Sequence, residues 1–436
     1  MSRFALVLFL IIFSLNACSV DRKEGYSWPK SGKIKDPEKT AIKELFRDEK
    51  NLDKEFNKTL KINLSNQFQK SSLKKNLENN IGRVNYDSQL KKISKFKFSK
   101  IDNFNQNQPE VIFDGENVIF FNNKGSIIKF NNLSKTIWEK NHYTKKERKI
   151  KPFLFFAKNK NILIVADNIS KYYAIDIHSG NLLWTKNNSS PFNSQIKIFK
   201  DKLYVVDFEN VLHCYSIKNG NKIWNFKSEN VFIKSQKKLS ISISDDIIYF
   251  NNSVGDINAL DVNNGKLIWQ LPTQNNQIYE DSFLLKSSDL VVTKKSILFS
   301  NNRNEFYSID KRSGILNWSQ RINSSLRPIV VDKLIFTVSL EGFLIVMDRT
   351  TGDIIRVTDL FNIFKEKKRL DITPIGFIIG AKNIYLTTDN GRLLVIDTET
   401  GKTVKSIKID GNQVSTPIIA NKNLHIIKDN MIVRFD

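Results

Sequence analysis

Cysteine and histidine are both scarce in this chain of 436 residues, which contains two cysteines and four histidines. The histidines are isolated from one another, so no two have the spacing of zinc ligands; they are His142, His178, His213 and His425. The sequence also lacks a Gly-x-Ser-x-Gly motif, a phosphate-binding loop and a calcium-binding loop. We therefore expect no catalytic residue, no metal site and no cofactor.

Long hydrophobic runs are scarce as well. The apolar run from Phe4 to Phe13 has about 10 residues, whereas a transmembrane helix needs about 20. It follows Arg3 and leads into Leu15-Asn16-Ala17-Cys18. This order of segments predicts a bacterial lipoprotein signal peptide over residues 1–17 and lipidation of Cys18. An uncleaved hydrophobic N-terminus and a soluble secreted protein are the alternatives.

The residues around the lipidation site also bear on location and redox state. The bacterial sorting rule retains lipoproteins with Asp after the cysteine in the inner membrane, and this chain has Ser19. We therefore expect the protein on the periplasmic face of the outer membrane, held through a lipid anchor. With Cys18 lipidated, Cys214 has no disulfide partner and is predicted to be an inert buried thiol.

Acidic residues are outnumbered, and the formal net charge is +23. Such a charge often marks nucleic-acid binding. The expected periplasmic location offers no nucleic acid, and enrichment in Lys, Asn, Ile and Phe runs through the whole chain, so we expect no nucleic-acid partner. Residues 18–91 are predicted to be a lipid-anchored basic tether. Apolar residues at near-helical spacing make a short helix plausible within Pro37–Leu60, and a disordered tether is the alternative.

A repeated motif, apolar-Asp-x-x-x-Gly-x-x-x-Trp, organises the chain from about residue 125 onward. Successive tryptophans are 46, 40, 45 and 49 residues apart, which is the length of a propeller blade. Two later copies lack the tryptophan, one copy has Ser in the Asp position, and a degraded first copy has Ser in the Gly position. The repeat residues are Trp138, Trp184, Trp224, Trp269, Trp318, Gly180, Gly220, Gly265, Gly314, Gly352 and Gly401.

The motif has a structural explanation that needs no catalysis. Glycine suits a hairpin position with positive φ, Asp accepts hydrogen bonds from the turn amides, and Trp fills the wedge between neighbouring blades. The tail after the seventh copy contains three further strands, and Ile93–Ile101 alternates like the missing fourth. We therefore predict an all-β, eight-bladed β-propeller of four-stranded blades over residues 92–436, closed by an N-terminal strand.

The blade motif resembles the pyrroloquinoline-quinone-type propeller repeat. A lipoprotein signal ahead of eight such blades resembles the BamB-like lipoproteins of the outer-membrane protein assembly machinery. WD40 and kelch repeats fit less well, because no repeat tryptophan is followed by Asp and double glycines are absent. The resemblance implies a non-catalytic periplasmic scaffold. It would bind the barrel-insertion subunit (BamA-like) and unfolded outer-membrane proteins and assist their insertion.

The resemblance also implies a partner-binding surface. The family's apolar-x-apolar-Arg loop resembles Val231-Phe232-Ile233-Lys234 after Trp224, with Phe232, Ile233 and Lys234 as the expected contact residues. Lys in place of Arg loses bidentate hydrogen bonding. The family's acidic loop corresponds to Glu280, Asp281 and Asp289, and this match rests on acidity and position. Phe232 or Ile233 beginning an inner strand is the structural alternative.

Two other functions remain open from the sequence. Quinoprotein dehydrogenases share the blade motif, but they resemble one another in a vicinal Cys-Cys pair that this chain lacks, and they are typically much longer. A propeller that binds glycan or another ligand in its central channel is the other alternative.

Overall fold

The computed structural model describes residues 54–69, 71–72, 77–102, 108–228, 237–273 and 285–436. The signal peptide, Cys18 and most of the segment expected to hold a helix lie outside these residues.

The described residues form 32 strands in eight antiparallel sheets of four. In chain order they are β1 (Lys92–Lys97); β2 (Ile112–Asp114), β3 (Asn117–Phe121), β4 (Ile127–Phe130) and β5 (Thr136–Lys140) of blade 1; β6 (Leu154–Asn159), β7 (Ile162–Asp167), β8 (Lys171–Asp176) and β9 (Leu182–Asn187) of blade 2; β10 (Lys197–Phe199), β11 (Lys202–Val206), β12 (Val211–Ser216) and β13 (Lys222–Lys227) of blade 3; β14 (Ile241–Ser244), β15 (Ile247–Asn251), β16 (Ile257–Asp261) and β17 (Leu267–Leu271) of blade 4; β18 (Val291–Val292), β19 (Ser296–Asn301), β20 (Glu305–Asp310) and β21 (Leu316–Gln320) of blade 5; β22 (Ile329–Val331), β23 (Leu334–Val338), β24 (Phe343–Asp348) and β25 (Ile354–Asp359) of blade 6; β26 (Pro374–Ile379), β27 (Asn383–Thr388), β28 (Arg392–Asp397) and β29 (Thr403–Lys408) of blade 7; and β30 (Ile418–Ala420), β31 (Asn423–Lys428) and β32 (Met431–Phe435) of blade 8.

Within the described residues, two short helices lie in the linkers between blades, α1 (Lys145–Lys149) and α2 (Glu366–Arg369). In the described part of the chain, no helix has the length and apolar character needed to cross a bilayer.

The burial pattern of each blade follows from its position between two neighbours. Middle strands such as β11 are buried on both faces, and Leu203 through Val206 all lie in the core. Such strands are therefore nearly continuous apolar runs rather than alternating ones. The outermost strands, such as β9, are mostly exposed and carry polar residues. The hydrophobic core is consequently a series of layers between adjacent blades.

The N-terminal strand closes the ring as predicted. β1 pairs antiparallel with β32, with Lys95 opposite Val433 and Phe96 opposite Ile432. Phe96 is fully buried, and its ring contacts Phe130 of blade 1 at a centroid distance of 5.7 Å. The strand is shorter than the predicted Ile93–Ile101. The prediction of an eight-bladed propeller with this closure is confirmed.

The repeat motif interlocks each blade with the next one. In blade 6, the Asp348 carboxylate accepts hydrogen bonds from the amides of Thr350 (2.6 Å) and Thr351 (3.0 Å). Gly352 then adopts φ +80°. The indole of Trp318 from blade 5 lies directly beneath this glycine and donates to the Arg349 carbonyl at 3.2 Å. The glycines of the other intact copies also lie over the tryptophan of the preceding blade.

We expect Gly352→Ala to destabilise the protein more than Gly115→Ala. Both glycines have positive φ, so both changes cost roughly 1–2 kcal/mol of backbone strain. A methyl group on Gly352 would lie 2.5 Å from the Trp318 Cδ2 atom, whereas one on Gly115 meets nothing within 4 Å. The clash should add about 1–3 kcal/mol. Chemical denaturation measures the difference, and equal losses would contradict the interlock.

The start of the propeller unit lies earlier than residue 92. Residues 51–436 form one compact unit, so its boundary falls about forty residues before the predicted one. Phe56 pairs antiparallel with Val357 on the outer edge of blade 6, and residues 54–60 therefore do not continue a helix. Tyr86 and Gly380 lie against each other near the inner strand of blade 7. The described residues before β1 are thus a packed part of the propeller rather than a free tether.

Candidate functional site

The central channel is lined by the inner strands, and residues Leu77–Asn80 of the N-terminal segment enter it. The amide of Ile243 in blade 4 donates to the Leu77 carbonyl at 2.8 Å, and the amide of Val292 in blade 5 donates to the Glu78 carbonyl at 2.9 Å. The amide of Val330 in blade 6 donates to the Asn80 side chain at 3.1 Å. This loop therefore connects three consecutive blades, 4, 5 and 6, from inside the channel.

Asn79 is the tip of this loop. It adopts φ +61°, a conformation that Asn tolerates better than most residues, and its side chain is buried. Its amide nitrogen lies 2.9 Å from the carbonyl oxygens of both Ile241 and Leu290. Lys197 of blade 3 donates to its amide oxygen. The channel interior is thus occupied by the protein's own side chains at this depth.

A group of charged residues lies where the inner strands of blades 4, 5 and 6 begin. The Arg327 Nη2 and Asp289 Oδ2 atoms are 2.5 Å apart. Burial opposes the charge of Asp289, but Arg327, Lys238 and Lys237 together lower the pKa of its carboxyl to about 2. Lys238 also pairs with Glu110 of blade 1. Because blades 1 and 4 are three positions apart, this ion pair spans the channel.

Burial lowers the pKa of two lysines in this group. The pKa of Lys237 falls to about 8, and its amine donates to the Ser325 carbonyl at 2.7 Å. The pKa of Lys197 falls to about 7, mainly through burial and also through the charge of Arg327. A depressed lysine pKa can mark a nucleophile. Here both amines donate hydrogen bonds to other parts of the protein, Lys237 to the Ser325 carbonyl and Lys197 to the Asn79 side chain. The two lysines therefore connect different blades and segments of the ring.

The residues predicted for partner binding are distributed unevenly. Phe232, Ile233, Lys234, Glu280 and Asp281 lie outside the described residues. Asp289 is mostly buried, and its carboxylate is paired with Arg327. The described ends of the two loops belong to adjacent linkers, after β13 and after β17. These described ends therefore lie on neighbouring blades at the same side of the ring.

Cys214 and His213 are both buried in blade 3. Cys214 is fully buried, and burial raises the pKa of its thiol to about 12, which disfavours the reactive thiolate. His213 lies 2.8 Å from the Asp207 carboxylate in the interior of blade 3. Within the described residues, no three His, Cys, Asp or Glu side chains are grouped to hold a metal ion.

Arg356 occupies the tryptophan position of a motif copy, but the sequence did not predict a structural role for it. It stands where blade 6 lacks its tryptophan and is fully buried. Its guanidinium donates to the Thr398 carbonyl at 3.4 Å. In blade 5 the indole of Trp318 makes the equivalent bond, to the residue that follows the motif Asp of the next blade. Arg356 thus replaces the indole and additionally binds the Leu60 carbonyl at 3.0 Å.

Asp167 is a buried carboxylate with a raised pKa. Burial raises this pKa to about 6, although the Tyr143 hydroxyl donates to it at 2.6 Å. Between about pH 4 and 6 the folded protein therefore binds a proton that the unfolded chain has released. It follows that the free energy of unfolding falls as the pH rises through this window. Blades 1 and 4 have Asn122 and Asn252 at the equivalent turn.

We expect Asp167→Asn to stabilise the protein at pH 7.5 by on the order of 1–3 kcal/mol, with the gain shrinking towards pH 4. Asp176→Asn is the control of opposite sign, because hydrogen bonds from Ser179 lower the pKa of Asp176. That variant should be less stable than the parent at pH 7.5. Denaturation at several pH values measures both effects, and a pH profile unchanged by Asp167→Asn would contradict the expected shift.

Comparison with known proteins decides the family. A family model described as "Outer membrane protein assembly factor BamB" matches residues 123–358, more than half of the chain. The chain belongs to the BamB family. BamB proteins of Legionella pneumophila (strain Paris) and Yersinia pestis are 23% and 20% identical over 50% and 56% of this chain. The aligned regions cover 52% and 63% of those relatives.

Solved structures show the same fold. The crystal structure of BamB from Moraxella catarrhalis matches with a TM-score of 0.64 at 13% identity, over 80% of this BamB-family chain and 99% of that one. A europium-containing methanol dehydrogenase matches with a TM-score of 0.63 at 11% identity, over 82% of this chain and 89% of that one. At these identities both likenesses concern the propeller fold alone.

Proposed function

We propose that this protein is a non-catalytic scaffold of outer-membrane protein assembly, held by a lipid on Cys18 at the periplasmic face of the outer membrane. Its partners are the barrel-insertion subunit and unfolded outer-membrane proteins on their way into the membrane. The match of residues 123–358 to the BamB family carries this proposal. The aligned relatives extend beyond the matched region, so the partners are inferred for the family rather than observed for this chain.

The channel geometry supports a scaffold. In the quinoprotein and ligand-binding alternatives, the centre of the ring must hold a small molecule. Here Leu77–Asn80 occupies the channel between blades 3 and 6, and the Asn79 side chain bonds to the inner strands. The ion pair between Lys238 and Glu110 spans it further. A ring braced in this way presents its loops as a rigid binding surface.

The partner surface is proposed to include the loop with Phe232, Ile233 and Lys234. Interfaces concentrate binding energy in a few aromatic, aliphatic and cationic side chains. Changing all three to Ser should weaken capture of the purified barrel-insertion subunit roughly 10-fold or more, which is about 1.4 kcal/mol for each decade. The melting temperature should not change. The matched control is Leu182, Leu183 and Lys186 on the exposed strand β9, changed in the same way.

Two results would count against this proposal. If the triple variant melts at a lower temperature and binds normally, the loop belongs to the core. If the purified protein, mixed with pyrroloquinoline quinone and Ca²⁺, reduces an artificial electron acceptor in the presence of an alcohol, the quinoprotein alternative replaces the scaffold.

A further inference from the structure

Among the described residues, two linkers of the ring contain the same kind of short basic turn. The first holds α1 and reads Lys145-Lys-Glu-Arg-Lys-Ile150, and the second holds α2 and reads Lys365-Glu-Lys-Lys-Arg-Leu370. We call residues 145–150 and 365–370 the basic tips. Neither helix has a buried residue. The aliphatic residue that ends each tip is exposed, Ile150 by 62% and Leu370 by 92%.

Both basic tips lie on one face of the ring. The antiparallel order within blades brings every linker to the same face as the turns between second and third strands. The hydrogen bonds agree with this placement. In the first linker, the Asn141 side chain donates a hydrogen bond to the Lys124 carbonyl, which lies in the turn between β3 and β4 of blade 1. In the second linker, the Leu360 amide donates a hydrogen bond to the Gly342 carbonyl, which lies in the turn between β23 and β24 of blade 6. Both tips therefore belong to the face that carries the linkers.

Most of the positive charges of the basic tips are not neutralised by ion pairs with described residues. Glu147 caps α1 through Thr144 and pairs with Lys171, and Arg369 pairs with Asp359 at 2.9 Å. These pairs fix the turns on the ring. Seven other cations of the tips form no ion pair with a described residue: Lys145, Lys146, Arg148, Lys149, Lys365, Lys367 and Lys368. Glu366 is the acidic side chain left at the tips, and Asp371 follows directly.

We propose that this face docks onto an anionic phospholipid surface, with Ile150 and Leu370 inserted among the headgroups and the cations of the tips against the lipid phosphates. Clustered Lys and Arg side chains are attracted to anionic membranes, and exposed aliphatic residues beside them enter the interface. The exposed aliphatic residues of the opposite face, such as Leu133 and Ile315, belong instead to the hairpin turns of the blade motif. The linkers after β13 and β17, which lead into the proposed protein-binding loops, begin on this same face. The inference needs lipid only, so its test is separate from that of the protein partner.

An environment-sensitive fluorophore on single cysteines tests the docking in the full-length lipidated protein. We place the probe at Ile150→Cys and Leu370→Cys, and at Leu133→Cys as the control on the opposite face. The native Cys214 is buried and should not react. In vesicles containing phosphatidylglycerol, the emission at 150 and 370 should shift to the blue, and the shift should disappear in phosphatidylcholine vesicles. The emission at 133 should not change, although the lipid anchor is inserted in every sample.

Charge reversal provides the second arm. Changing Lys145, Lys149, Lys367 and Lys368 to Glu should abolish the blue shift and weaken salt-sensitive vesicle binding of the acyl-free Cys18→Ser chain at least roughly tenfold. The matched control reverses Lys135, Lys222, Lys266 and Lys402 on the opposite face, and should keep the shift.

Three results would overturn the proposal. They are a blue shift of equal size at residue 133, a shift that persists in phosphatidylcholine, and a shift that needs added barrel-insertion subunit. The last result would assign the tips to a protein partner. Because the lipid assay contains no partner protein, its failure leaves the scaffold proposal intact.

Discussion

Phe96→Ala is expected to cost about 3–5 kcal/mol of unfolding free energy, the largest effect of any single substitution considered for this protein. The ring of Phe96 is fully buried and lies between Phe130 of blade 1 and the Arg434 guanidinium of β32. It therefore joins the first and last blades. Its removal leaves a cavity at the one seam where the propeller is closed by hydrogen bonds between distant parts of the chain.

The control for this seam is Ile93→Ala on the same strand, because Ile93 is 49% exposed. It should cost no more than about 0.5 kcal/mol. Deletion of residues 92–101 should go further and leave β32 as an unpaired edge that favours aggregation. Chemical denaturation and light scattering check both effects. If the Phe96→Ala and Ile93→Ala variants have the same denaturation midpoint, packing of the closing strand does not stabilise the ring.

Arg356→Leu is expected to cost about 2–4 kcal/mol of unfolding free energy, because it removes a charged donor from three carbonyl groups in a partly buried environment. The acceptors are the carbonyl groups of Glu399 and Thr398 in blade 7, with that of Leu60 in the N-terminal segment. Burial lowers the pKa of this guanidinium to about 10, so it stays charged at neutral pH. The charge of Asp397 helps to hold it.

Arg356→Trp separates the two contacts of this residue. An indole restores the arrangement of blades 2, 4 and 5, with its N–H directed at the Thr398 carbonyl and its face under Gly401. It offers no donor to Leu60. We therefore expect Arg356→Trp to be more stable than Arg356→Leu, while residues 54–62 exchange amide hydrogens faster in both variants than in the parent. Unchanged exchange in this segment would show that Arg356 does not hold it.

The fold was predictable because its signals are local and repeated. A complete motif copy places the turn Asp, the glycine and the tryptophan within nine residues, and the contact between glycine and tryptophan recurs in successive blades, as between Trp318 and Gly352. Even the closing strand showed its alternation in the sequence.

The N-terminal segment was not predictable in the same way. Asn79 acquires its role from groups more than 100 residues away, and nothing near it in the sequence indicates a turn inside a channel. Asp289 likewise becomes a paired residue because of Arg327, 38 residues further on. The acidity and position of Asp289 in the sequence do not show this ion pair, which depends on packing.

The proposed role in outer-membrane assembly is tested most directly by identifying what the protein touches in the cell. A photo-crosslinking amino acid at position 232, in the full-length lipidated protein, would be activated in living bacteria and the products identified by mass spectrometry. We predict a crosslink to the barrel-insertion subunit, and none from the same amino acid at position 183 on the exposed strand β9. Crosslinks of equal yield from both positions, or none to that subunit from position 232, would contradict the assignment.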